Sequence, residues 1–82
     1  MPYVRPGRRL ELDSIVSHMA EHLKLDGDLN YVLFGYCRRH VKPSYNNYKN
    51  FIGELNEAVA EIRRRMLAPY EDEKIKENGD VY

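Results

Sequence analysis

His18, Glu21 and His22 fall within one helical turn of each other in the run His18-Met-Ala-Glu-His22. Two imidazoles four residues apart on a helix can hold a zinc ion. Cys37 and His40 supply two further donors of suitable type. Whether they could complete a four-ligand site is a question of position along the helices. If the chain turns back near residue 26, His18 and His22 lie level with residues 30 to 34, which displaces Cys37 and His40 by about six residues, or ~10 Å at ~1.5 Å per residue. Every ligand must come within ~2.0–2.3 Å of one ion. The spacing works against that set, and the histidines read as partly exposed residues on a helix flank.

The same five residues match the H-x-x-E-H order of inverted zinc peptidases, and the resemblance implies that His18 and His22 hold the metal while Glu21 serves as base; it rests on three fixed residues, with no evident third ligand and no room for a substrate cleft. Acidic residues form a second constellation. Glu54, Glu57 and Glu61 recur at i, i+3 and i+7, and Glu77 and Asp80 follow as an E-x-x-D pair. This order resembles the magnesium-binding carboxylates of the all-α nucleotide pyrophosphohydrolases. The resemblance implies Glu54, Glu57, Glu77 and Asp80 as magnesium candidates, the metal then positioning a triphosphate and activating water. Three departures separate the chain from that pattern: Gly53 stands before Glu54 in place of a second glutamate, Gly79 interrupts the later pair, and the family's following helix has no counterpart after Asp80. Measured against Ile52, Leu55, Val59 and Ile62 these glutamates point outward, as a solvated face does.

Arginines are the third group, with Arg38 and Arg39 near Lys42, Arg63, Arg64 and Arg65 together, and Arg5, Arg8 and Arg9 near the start. Clusters on one face bind phosphate, and interleaved tyrosines stack on bases. Basic residues in the last turns of helices also answer the helix dipole. A formal net charge of zero, with no recognition-helix or base-stacking motif, sets the chain apart from the strongly basic domains that bind nucleic acid. The tyrosines, seven of them with no tryptophan, read as packing residues with a hydroxyl at the wet edge. No Gly-rich phosphate loop and no Ser, His and Asp set suggests catalysis, and no cofactor is expected.

The elements that must carry these groups are helical throughout. An irregular arm is expected over residues 1–11, broken by two prolines and a glycine, with the first helix over 13–24 capped by Asp13 and striped by Leu12, Ile15, Val16, Met19 and Leu23. Asp26-Gly27-Asp28 reads as a turn, and a second helix over 28–42 carries Leu29, Val32, Leu33, Tyr36, Cys37 and Val41 to the break at Pro43, giving a short helical hairpin. Ser44 can cap a third and longest helix over 45–67. Its apolar residues Tyr45, Tyr48, Ile52, Leu55, Val59, Ile62 and Met66 recur at alternating spacings of 3 and 4, a heptad seam. Over 69–82 a capped tail follows, in which Pro69 opens a short helix, Glu71, Asp72 and Glu73 suit its start, and Gly79 suits its stop. Asn78-Gly79 is also a hairpin signal, but that register would set Glu77 opposite Asp80.

Eighty-two residues suggest one domain, 1–82, too small to gain much stability from its own core. A lone cysteine, Cys37, fits a small hydrophobe in a reducing cytoplasm, and no stretch has the length and apolarity of a signal peptide or membrane span. The tail from Tyr70 holds five acids against two lysines, a balance of −3, and the body before it eleven bases against eight acids, +3. That asymmetry suggests a tail that clasps the body in cis or across a dimer. The long seam suggests a homodimer, since its helical neighbours are too short to cover it.

At Ala68-Pro-Tyr-Glu-Asp-Glu-Lys-Ile-Lys-Glu-Asn-Gly-Asp-Val-Tyr82 the chain resembles a family of small proteins of bacteria, archaea and their phages, whose members also share Met1-Pro-Tyr and the Leu29-Asn30-Tyr31 before the second helix. The resemblance implies no activity. The expectation is therefore an all-α oligomeric binding or accessory protein, with a magnesium-dependent nucleotide hydrolase and a nucleic-acid binder as the alternatives.

Overall fold

Pro6 starts the first helix. In the computed structural model, which describes residues 4–80, α1 runs Pro6–His22, α2 Asp28–His40 and α3 Tyr45–Ile62; a π-helical turn over Arg63–Leu67 leads into α4, Ala68–Asn78. No strand occurs among the described residues, so the fold is all-α, with the long third helix that the heptad spacing predicts. The described chain forms two units, residues 4–42 and residues 43–80.

In the first unit, the arm expected to stay irregular to residue 11 is helical from Pro6, and Asp13 lies inside α1 instead of capping it. Proline at the first helical position gives up an N–H that would have no partner there, and its fixed φ suits the helix. Arg5 before it is extended, at φ −62° and ψ 144°. No side chain caps this end, but Arg9 Nε donates to the Val4 carbonyl at 2.9 Å and Arg8 pairs with Glu11 at 2.8 Å. The turn after α1 forms where Asp26-Gly27-Asp28 predicts it, with Gly27 at φ 95°, a left-handed conformation open to glycine. Asp28 is the first residue of α2, and its carboxylate reaches back to accept from the backbone N–H groups of Lys24 and Leu25, each at 2.8 Å. Those bonds, with Leu25's first and Lys24's next, hold its pKa below the usual carboxylate value. The short helical pair is thus locked at its turn, yet α1 and α2 do not pack along each other's length.

The second unit is one helical path. Ser44 caps α3, accepting from the Asn47 N–H at 3.0 Å. The helix does not end near residue 67: it passes through the π turn, where the Ala68 N–H donates to the Arg63 carbonyl five residues back, and continues as α4. Pro69 explains the turn. A proline inside a helix has no N–H for the carbonyl four residues earlier, and its ring presses on that carbonyl; one wide turn just before it relieves the contact. Gly79 then ends α4 at φ 83°, its N–H bonded to the Ile75 carbonyl at 2.8 Å, as the Gly stop predicts and the Asn78-Gly79 hairpin register does not. Because α4 continues α3, the tail cannot fold back on α3 of its own chain. Val81 and Tyr82, which could contribute to a clasp, lie outside the described residues, as does Met1-Pro-Tyr3.

Candidate functional site

The last turn of α1 brings His18, Glu21 and His22 together. One ligand-type atom from each lies within 4.8 Å of the others, and all three side chains are exposed. The two imidazole rings have centroids 4.4 Å apart. Apart from that ring contact, none of the three side chains takes part in a hydrogen bond or ion pair among the described residues. The group does not include Cys37 or His40. Cys37 is half-buried on α2, and His40 lies against the Tyr36 ring at 5.5 Å between centroids.

The outward acids are not grouped in this way. Among the described residues no three of Glu54, Glu57, Glu77 and Asp80 bring their oxygens within the same 4.8 Å of one another. Glu61, the third acid of the α3 strip, is engaged by the π turn: both its oxygens accept from one Arg64 nitrogen, at 2.9 and 3.1 Å, and Arg65 Nε reaches Oε2 at 2.8 Å. The Arg64 hydrogen bond is the main reason the Glu61 carboxyl is held below its usual range. Glu77 pairs with Lys74 at 3.0 Å. Glu77 closes the last turn of α4 and Asp80 stands beyond the Gly79 stop.

The arginines divide between the units. Arg38 and Arg39, in the last turn of α2, border an open depression with Tyr31, Phe34 and Gly35. Arg63, Arg64 and Arg65 all lie in the π turn, two of them held by Glu61.

The seam on the long helix is open. Tyr45, Tyr48, Ile52, Val59, Ile62 and Met66 are exposed and Leu55 is half-buried; Lys49 sits over the Tyr45 ring at 5.7 Å. No described residue anywhere in the chain is buried. No helix of the described residues is long and apolar enough to cross a membrane.

Two features escape the sequence reading. The π turn has only Pro69 as its signal, and proline more often marks a helix start, which is how the spacing of acids after it reads. Glu21 reads as a catalytic base because the motif assigns it that role; that its carboxylate lies within ligand reach of both imidazoles, all within 4.8 Å, takes the side-chain positions to show.

A family model described as a domain of unknown function (DUF6899) matches residues 1–81, and the chain belongs to that family. No curated protein and no solved structure matches it.

Proposed function

We propose that this member of the family is an oligomeric binding or accessory protein, cytoplasmic and of prokaryotic or phage setting, whose seam of Tyr45, Tyr48, Ile52, Leu55, Val59, Ile62 and Met66 pairs with that of a second copy. The observation that carries the reading is the exposure of that seam on a unit that contains a single helical path. Nothing else in residues 43–80 can cover it. From residue 45 to residue 66 the seam extends ~32 Å at ~1.5 Å per residue, against ~26 Å for α1 and ~20 Å for α2, whereas a second α3 has the length and heptad spacing to match. An isolated helix with an apolar stripe is marginal in water, and covering the stripe supplies the stability that propensity alone does not.

The two alternatives have weaker support. A magnesium-dependent hydrolase needs converging carboxylates, and within residues 43–80 its four candidates do not form such a group. A nucleic-acid binder needs an unneutralised basic face, and Arg64 and Arg65 already share Glu61. Size-exclusion chromatography with light scattering tests the proposal: at tens of micromolar the full chain should elute with at least twice its 9.7 kDa mass. A monomer under those conditions overturns it.

A further inference from the structure

We propose that His18, Glu21 and His22 form a site for zinc, or for another divalent ion that prefers imidazole, at the C-terminal end of α1. The donor set is two imidazoles and a carboxylate, which together furnish three ligands and leave a fourth position for water or for a donor from a second copy. Their ligand atoms already lie within 4.8 Å of one another. In a tetrahedral zinc site with bonds of ~2.0–2.1 Å the ligand atoms stand ~3.3 Å apart. Closing that gap takes side-chain rotation alone, which exposed and otherwise unengaged residues are free to make.

Place on the helix adds a second reason. His22 is the last residue of α1, and Leu23 after it is extended. The final carbonyls of a helix carry partial negative charge, so a cation is favoured there, and the Glu21 carboxylate adds a full negative charge beside it. Metal choice follows from the ligands: imidazole suits zinc, copper and nickel, whereas magnesium and calcium require oxygen donors. Glu21 is the ligand that a search across α2 for Cys37 and His40 overlooks. With it all three protein ligands come from one helix turn and need no particular arrangement of any other element of the same chain.

Zinc titration of the full chain against a chromophoric zinc chelator, with millimolar magnesium present, tests the site. The expected result is one zinc bound per chain, undiminished by magnesium. His18→Ala and His22→Ala should each weaken the affinity at least about tenfold, and Glu21→Gln by a smaller factor of at least about three, while Cys37→Ser and His40→Ala leave it unchanged. Helicity by circular dichroism should be the same in all five variants, since the three site residues are exposed. Three outcomes overturn the assignment: wild-type affinity no tighter than that of the histidine variants, full retention in Glu21→Gln, or loss of binding in Cys37→Ser or His40→Ala.

Discussion

Truncating Ile52 and Ile62 together to alanine tests the seam where it is best defined. Ile52 is 55% exposed and Ile62 54%. Fully burying an isoleucine is worth ~1.5–3 kcal/mol, so covering the remaining half of each contributes ~1 kcal/mol, and a symmetric dimer covers four such halves. The double variant should therefore lose ~4 kcal/mol of association, or about three powers of ten in dimer Kd. Alanine is the better helix former, so α3 itself gains locally from the change, and any fall in helicity at dilution must come from dissociation. Sedimentation velocity across a concentration series measures the constant, with circular dichroism on the same samples. Asn50→Ala, at an exposed position on the side of α3 away from the seam, serves as the control and should leave Kd unchanged. A double variant whose Kd stays within about threefold of the wild type refutes the seam as the contact.

Three smaller perturbations probe the fold that presents these surfaces. Ser44→Ala removes the acceptor of the Asn47 N–H and should cost about 1 kcal/mol, read as a fall in Tm of about 4–8 °C; an unchanged Tm would mean the cap contributes nothing. Asp28 has a folded-state pKa below its unfolded one, so its contribution is present above the unfolded value of 3.8 and is lost as pH falls through the folded value. Asp28→Asn should consequently flatten the decline of Tm on acidification below the unfolded value of 3.8, and an equally steep decline in the variant would assign the acid sensitivity to other carboxylates. Pro69→Ala restores the missing N–H, so residues 63–67 should return to α-helical backbone chemical shifts and Tm should rise; persistence of the π turn would show that Pro69 is not its cause.

Helical class, the Ser44 cap, the turn at residues 26–28 and the Gly79 stop are all legible from the chain because each has a local cause that acts whatever the rest of the fold does. The start of α1 is misplaced by a count of residue types, in which Pro6 and Gly7 read as breakers, whereas a proline at the first helical position is a starter. The join between α3 and α4 is misplaced for the converse reason, since Pro69 can either open a helix or sit inside one behind a π turn. Local sequence does not separate those cases. The turn also has a consequence that no heptad count contains: one extra residue shifts the register of α4 by about 100° around the axis, so the alternating 3 and 4 spacing of the α3 seam does not run on unbroken past Met66. For the candidate site, the spacing of His18 and His22 is legible, but the role of Glu21 depends on side-chain reach, which a motif does not encode.

The charge distribution decides between the kinds of surface this chain can offer. Summed by segment, the acidic tail and basic body suggest long-range attraction; taken residue by residue, the opposite charges meet within a single helical turn. Arg8 pairs with Glu11, Arg64 and Arg65 with Glu61, Lys74 with Glu77 and Lys76 with Glu73, each three or four residues apart. Exposed pairs of this kind contribute little stability individually, but each weakens the field of the basic residue it engages, Arg64 and Arg65 among them. Among the groups singled out for chemistry, the apolar seam of α3 lies uncovered and the His18, Glu21 and His22 group has no ion-pair partner. An apolar stripe is covered most completely by another apolar stripe, and a three-ligand site is completed by one more donor. The proposed pairing of the seam thus suits a second copy of this chain, which carries the same apolar stripe, better than it suits a polyanion.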